Sequence, residues 1–539
     1  MSIARVITAT WRLASLPSAS RFTHSLTYPG DIQRQRLLRL ISAQANTTFG
    51  RAHGFSTIQD AHQFRERVPL QSWNDVAPWV ARLSAGEQGV LTRERVTRLI
   101  PTGGSSGGAK YIPWTAGLAR EFQAAIAPWV VDLHATYPAS AAGPAYWSVS
   151  PLTDSTTQTG ALPVGFEDDS AYVGGLLRPL VAATLAAPAC LRHIADLETF
   201  RYATLLCLLG QRELAMMSVW HPSFLTLLLD SAPGFRADLL RDIEHGGITP
   251  PSALPASVLA GMAGWLRAGP CRADELRAAE WRNPRELWPR LAVVSCWADS
   301  AAAPACTALQ RRLGNILIQP KGLLATEGVI TIPYAGSQVL AVTSHVHEFI
   351  DAQGRAHWAD ELENGASYEV ALTTAGGLYR YRLGDRVRVT GFMDRTPCLR
   401  FLGRGDRVVD LCGEKLDEAF VAECLAQVMG RSASLAFLAP DSQDGIPAYT
   451  LYFSGEVMPG LMSRLEATLS TNPHYRLARR LGQLGKPRLF QVVDEAEQVY
   501  VSHLAATTTC LGAVKPTALH NKTGWSQRFS GAYQTMEEG

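Results

Sequence analysis

The sequence predicts an α/β chain in two parts. A large N-terminal domain, residues 1–402, carries mixed sheets and a β-barrel-like subdomain; a small α+β C-terminal domain, residues 403–539, follows it. Three observations predict this. Apolar residues recur at helical spacing through most of the first 290 positions. Closely spaced β-type runs take over from Leu291. Helix and strand patterns then alternate over the last ~130 residues, enough for one small domain. A chain of 539 residues also exceeds one ordinary core.

Residues 1–80 read as helices with short polar breaks, ending at Val68-Pro69-Leu70 and Trp73. No acidic residue precedes Asp31, and Arg5, Arg12 and Arg21 stand among Ser, Ala and Leu. Such a segment resembles a transit peptide and equally suits a first helix; with no secretory apolar core, it is read as the helix. Residues 118–133 carry Phe122, Ile126, Trp129, Val130 and Leu133 at helical spacing, and 146–150 read as a strand. Residues 175–290 are mostly helical, with Leu205, Leu208, Leu209, Leu214 and Met217 in apolar stripes. Strands are expected at 291–295, 316–318, 329–332, 339–342, 368–372 and 386–390. In the last part Asp417 opens a helix with Phe420, Val421, Cys424, Leu425 and Val428 on one face and Gly430 as its C-cap. Strands at 435–438, 449–453 and 489–493 and helices at 461–469 and 495–504 complete it.

A composition 47% hydrophobic and 18% charged is that of a soluble globular protein. A net charge of +2 gives no reason to expect nucleic acid or an acidic membrane surface as partner. No apolar run is long enough to span a bilayer; the most apolar, 181–191, is short and contains Pro188. Nine cysteines without a CxxC pair point to a reducing compartment, the cytoplasm. Nothing implies an obligate protein partner.

Five segments carry candidate chemistry. The first is Thr102-Gly103-Gly104-Ser105-Ser106-Gly107-Gly108-Ala109-Lys110, between two apolar runs. Its glycines allow backbone N–H groups to approach a ligand closely, its hydroxyls add donors and Lys110 adds a cation, so the stretch suits polyphosphate. Ala109 follows Gly108 where a Walker A loop needs lysine, and the G-x-G-x-x-G spacing is absent. A flexible surface loop is the alternative. Second is Ala325-Thr326-Glu327-Gly328, where a carboxylate beside a hydroxyl suits a magnesium ion or simply makes a turn. Third is Tyr381-Arg382-Leu383-Gly384-Asp385, whose carboxylate can accept both hydroxyls of a ribose or sit in a β-turn. Fourth is the joint 401–407 with Arg404 and Asp406, a hinge or a solvated linker, followed by Gly413-Glu414-Lys415-Leu416. Fifth is Lys515 in Val514-Lys515-Pro516, a point charge for a phosphate or an ordinary surface lysine. His345 and His347 share a strand face at a spacing some metal sites use, without a further ligand to complete a set.

In order and spacing the five resemble the adenylate-forming enzymes, whose glycine loop is matched by Thr102, Gly104, Gly107 and Lys110, with Gly103 replacing the usual second serine. More narrowly the chain resembles the Gretchen Hagen acyl acid–amido synthetases and their bacterial relatives. The likeness includes 46–51, 220–225, 348–350, 389–392 and 413–418 and runs from about residue 36 to about 530. The resemblance implies an adenylate-forming N-terminal domain and a mobile C-terminal one. It implies ATP-dependent activation of a carboxylic acid to an acyl-adenylate, then transfer to an amino acid or other amine, releasing AMP and pyrophosphate. Transfer to a thiol, or a non-catalytic nucleotide-binding relative, is the alternative. By motif, Thr102, Ser105, Ser106, Gly107, Lys110, Ala325, Thr326, Tyr381, Asp385 and Arg404 would hold ATP, and Glu327 would hold Mg2+. Asp406 would be the hinge, and Lys515, rather than Lys486, the lysine that reaches the reacting phosphate.

Overall fold

A computed structural model describes residues 3–102, 110–149, 158–165, 181–405, 408–412, 414–429, 433–443, 446–480, 483–493, 495–505 and 517–534. The N-terminal segment forms the helix Ile3–Ser25, which packs along the helix Ala116–Thr136. Phe22 and Leu26 join Leu118, Phe122 and Ile126 in one core. Thr115 starts the second helix by accepting the N–H of Leu118, satisfying one of the donors a helix start leaves open.

Four strands, Ala145–Trp147, Met216–Ser218, Val293–Cys296 and Leu317–Pro320, form a parallel sheet in that order. The last two come from the expected runs at 291–295 and 316–318, but they join the helical region's sheet and not the strand-rich subdomain after it. All four residues of Val293–Cys296 are buried, as the short apolar run of a strand covered on both faces should be. Helices Leu197–Gly210, Pro222–Ser231 and Ala303–Leu313 contribute to the same core, with Trp288 and Tyr202 fully buried among them.

The strand-rich region is a seven-stranded antiparallel sheet. Its order is Thr331–Tyr334, Ser337–Leu340, Thr396–Arg404, Tyr381–Met393, Ser367–Thr373, Val346–Ile350 and Ala356–His357. The register shifts beside Ala371, Val387 and Gly391, as bulges and other ladder irregularities do, bend the sheet and increase its twist. The expected strand 329–332 is broken at Ile330. Gly328–Val329 folds back on Leu324–Ala325, and the sheet begins at Thr331. Residues 401–404, expected in the joint, are the end of a sheet strand, with Arg386 opposite Gly403 and Asp385 opposite Arg404.

The C-terminal part builds its own sheet from Leu435–Gln443, Ile446–Ser454, Arg488–Val492 and Gly531–Tyr533. Helices Glu418–Val428, Leu461–Leu469, Pro473–Arg480 and Ala496–Ala505 flank it. Asp417 Oδ1 accepts the N–H of Phe420 at 2.9 Å and caps the first helix as read from sequence. That helix ends on Met429 (φ −89°); the expected cap, Gly430, lies outside the described residues. Val421, Leu425, Leu451, Leu465 and Leu489 share a core separate from those of the N-terminal sheets.

His345 and His347 are fully buried. His345 Nδ1 lies 3.1 Å from Glu121 Oε2, and His347 Nε2 meets the Val329 carbonyl at 2.9 Å. Burial holds the His347 pKa down to about 3, so the ring is neutral. Among the described residues no group of three or more His, Cys, Asp or Glu could hold a metal ion, and no helix is long and apolar enough to cross a membrane.

One ionic network ties the N-terminal helices to the antiparallel sheet. Buried Glu348 accepts from Arg65 Nε at 2.8 Å and from Arg380 Nε at 2.9 Å. Arg380, at φ +48°, also donates to the carbonyls of Arg65 and Val68. Glu348→Ala leaves two guanidinium groups facing no carboxylate there. It should lower stability by about 3–5 kcal/mol, read as a lower denaturant midpoint at unchanged slope.

A second polar contact region lies between the two parts, in a crevice lined by His221, Ser223, Ala305, Leu435, Glu497 and Tyr500. His221 Nδ1 accepts the N–H of Ser223, so its Nε2 carries the proton, and among the described residues that atom is buried without a hydrogen-bond partner. Burial, and secondarily the charge of Asp230, raises Glu497 to about 7, and its Oε2 is likewise unpartnered. A carboxyl raised on folding favours the folded state while protonated, and that contribution is lost as pH rises through 7. Glu497→Gln should therefore match wild type at pH 5 and be more stable at pH 8, by on the order of 1–3 kcal/mol, in paired thermal melts.

Candidate active site

The glycine-rich stretch connects two antiparallel strands. Arg98–Thr102 pairs with Lys110–Trp114, and Thr102 stands directly opposite Lys110 at the end next to that stretch. The residues between them, including Ser105, Ser106 and Gly107, lie outside the described residues. At the other end of the hairpin, the Pro113 carbonyl lies against Gly376, where a Cβ would sit 3.0 Å from it. Gly376 belongs to the turn joining strands Ser367–Thr373 and Tyr381–Met393, so the hairpin abuts the sheet that carries Tyr381 and Asp385.

Thr326 and Glu327 form the two-residue turn of a second hairpin, in which Ala325 pairs with Gly328. Glu327 is buried and Thr326 half-buried. A Cβ on Gly328 would come within 3.0 Å of the His345 ring and 2.9 Å of the Leu372 side chain, so the bare glycine lets this hairpin lie close on the sheet without displacing either. Leu372 is the ladder partner of Tyr381. The T-E turn and the Y-R-x-G-D strand are thereby brought to one sheet.

Tyr381 is buried in the sheet's core, and the backbone on either side of it bridges to Gln71. Arg382 pairs with Glu369. Gly384 takes φ +78°, a turn-like residue inside a strand, and the next carboxylate turns inward. Asp385 is 2% exposed, and its Oδ1 has no hydrogen-bond partner among the described residues. Arg404 Nη1 lies 3.7 Å from that oxygen, an ion contact too long for a hydrogen bond, while its Nη2 donates to the Leu383 carbonyl at 2.8 Å. A buried carboxylate oxygen facing a cation but without a donor can take a hydroxyl.

Two further features here were not read from the sequence: the turn at Ser300, and the backbone of Lys415 inside the motif segment 413–416. The loop after Val293–Cys296 turns at Ser300, which holds φ +52° and donates to the Leu402 carbonyl at 2.9 Å. Asp299, raised by burial, accepts the N–H of Phe401. The carboxyl end of the parallel sheet, where open α/β sheets bind ligands, therefore adjoins the strand end that carries Arg404. No glycine or charge pattern in 297–302 announces this.

The second feature is Lys415, exposed and held at φ +46°. Beside it the fully buried Glu414 accepts the N–H groups of Leu411 and Cys412 at 2.8 and 2.9 Å and the hydroxyl of Tyr449. These donors hold the Glu414 carboxyl below its usual range against the opposing effect of burial. Lys486 is exposed just ahead of Arg488–Val492, while Asp406 and Lys515 lie outside the described residues.

Residues 18–318 match the family model described as the GH3 family N-terminal domain, and 338–404 match the GH3 family central domain. Among curated relatives, the probable indole-3-acetic acid-amido synthetase GH3.12 of Oryza sativa subsp. japonica is 26% identical, over 72% of this chain and 71% of that one. The putative indole-3-acetic acid-amido synthetase GH3.10 of the same organism is 25% identical, over 85% and 93%. Among solved structures, the AtGH3.15 acyl acid amido synthetase in complex with 2,4-DB aligns with a TM-score of 0.83 at 18% identity, covering 97% of this chain and 98% of that one. A 2-hydroxyisobutyryl-CoA ligase in the postadenylation state aligns at 0.50 and 12% identity, covering 92% and 88%. With one family model spanning more than half of its length and a second covering the strand-rich region, the chain belongs to the GH3 family.

Proposed function

We propose that this chain is an AMP-forming acyl acid–amido synthetase. It activates a small carboxylic acid with ATP and transfers the acyl group from the adenylate to an amino acid or other amine. The observation that carries this reading is the buried, donor-less Asp385 oxygen, on the sheet that the T-E hairpin and the glycine hairpin both reach, in a chain of this family. The curated relatives' names supply the amide-forming half of the reaction. The CoA-ligase likeness extends to the fold alone, and nothing in the described residues favours a thiol acceptor over an amine.

Each residue then has a task. Asp385 accepts the ribose hydroxyls, with Arg404 holding its charge in place. Thr102 and Lys110, at the mouth of the glycine hairpin, place a hydroxyl and a cation beside the phosphates, with Ser105, Ser106 and Gly107 between them. Ala325 and Thr326 contact the nucleotide from the second hairpin. Glu327 and Thr326 offer a carboxylate and a hydroxyl, oxygen donors suited to Mg2+ with phosphate oxygens completing its set. Mg2+ would there offset phosphate charge. Tyr381 acts through the backbone it anchors. The acid's carboxylate and the α-phosphate repel, so cations that offset charge as they approach dominate the barrier. Lys515, on a C-terminal domain that follows the strand ending at Arg404 and turns about Asp406, supplies that cation. The eight described cysteines are free, in keeping with the cytoplasm.

Asp385→Ala should mainly weaken ATP binding, read by calorimetric titration of ATP; unchanged affinity contradicts the ribose role. Lys515→Ala should lose ~10²–10³ in acid-dependent pyrophosphate exchange, roughly 3–4 kcal/mol, without loss of fold. Lys486→Ala should retain wild-type exchange. A loss that falls on Lys415→Ala and spares Lys515→Ala would move the role to the strained lysine beside Glu414.

A further inference from the structure

The parallel sheet ends in a second polar cluster that the adenylation residues do not include. In its register Ser218 pairs with Ser295, and Ser295 with Gln319. Laterally paired residues of a parallel sheet share a face, and alternation brings residues two positions further on to that same side. Those residues are Trp220, Trp297 and Lys321, and the observed contacts agree. Lys321 Nζ donates to Ser218 Oγ at 2.9 Å and sits 4.3 Å from the centre of the Trp220 ring. The Trp220 and Trp297 rings are 5.6 Å apart. Backbone bonds fix the walls: Trp297 N donates to the Trp220 carbonyl, and Lys321 N to the Cys296 carbonyl, each at 2.8 Å. Ser295 is fully buried on this face, and its hydroxyl has no hydrogen-bond partner among the described residues.

The geometry points to a carboxylate subsite built from Lys321, Ser218 and Ser295 and walled by Trp220 and Trp297. The ring face and the Ser218 hydroxyl hold a long, flexible ammonium in one place, and a buried hydroxyl with an unused proton stands in the next strand. A carboxylate suits this set because each of its oxygens accepts two hydrogen bonds. Lys321 lies five residues ahead of Thr326, at the carboxyl ends of the strands, so a carboxylate held here stays beside the reacting centre without being the group that is activated. Two substrates can bring one: the acceptor amino acid through its α-carboxylate, or an acyl acid that carries a second carboxylate. The proposal rests on the amide-ligase reading.

The test compares full-length wild type with Lys321→Met and Lys321→Arg. Pyrophosphate exchange, which needs no acceptor, is run with hexanoate against adipate and benzoate against terephthalate. Amide formation is run with L-amino acids against their methyl esters. If the acceptor's carboxylate is held, Lys321→Met raises KM for the amino acids roughly tenfold or more, leaves KM for the esters and the exchange unchanged, and Lys321→Arg restores much of the loss. If the acyl acid's second carboxylate is held, exchange with the dicarboxylates falls about as far while that with the monocarboxylates stays. Either result supports the subsite and names its source. Unchanged constants throughout overturn it, as does an equal loss with mono- and dicarboxylates, which would mark Lys321 as part of the adenylation machinery or of the fold. Should the wild type exchange pyrophosphate with none of the acids, the ligase reading fails by itself. Calorimetric titration of the same acids and amino acids against wild type and Lys321→Met then decides the subsite, which stands only where a carboxylate binds the wild type and binds the variant at least tenfold more weakly.

Discussion

The pairing of Tyr381–Met393 with Thr396–Arg404 is the constraint on which the rest of this molecule depends. It sets Asp385 opposite Arg404 at the last rung before the chain leaves the sheet, so a buried carboxylate and its guanidinium neighbour stand at the junction of the two parts. A slip of one residue would turn Asp385 to the other face and strand its charge away from the cation. The register shifts in this ladder and the positive φ of Gly384 and Gly403 meet the same requirement. At Gly403 the strand end lies so close to the next helix that a Cβ would sit 3.0 Å from the Ala419 Cα. The last rung of the sheet and the first turn of the C-terminal helix are therefore nearly one object.

Around that rung the N-terminal part supplies three separate pieces, each held by its own contact. The glycine hairpin lies against Gly376, the T-E hairpin lies on the sheet through Gly328, and the Ser300 turn is tied to Leu402. Two of the three depend on a glycine whose missing side chain permits the approach. The buried ionic cluster of Arg65, Glu348 and Arg380 then fixes the N-terminal helices to the other side of the sheet. Polar atoms without partners among the described residues stand at the faces where substrates and the C-terminal part would meet the sheets, as at Asp385, Ser295 and His221.

Much of this was legible in the sequence, for local reasons. A T-E or G-D turn needs a short run of special residues, so each leaves a mark where it stands. Helices such as Leu461–Leu469 show themselves by periodicity alone. What the sequence concealed depends on pairing between distant segments. The runs near 293 and 317 look like the strands after them, and only their parallel partners assign them to the other sheet. Thr396–Arg404 hides because Pro397 and Gly403 are poor strand residues, tolerated here at a hairpin end and at a sheet end. Ser300 and Lys415 adopt left-handed backbone without being glycine, which no local rule anticipates. Trp220 and Lys321 meet only through a register across three strands.

The clamp around Glu414 has a mechanical meaning. Four donors, the Cys412 thiol among them, converge on that one carboxylate, and the residue after it is Lys415, so this ammonium is mounted on a stiff bracket. Loosening the side chain cannot extend its reach by more than its own four carbons. Carrying that charge any farther requires turning the whole bracket at the joint, as a gear carries its tooth.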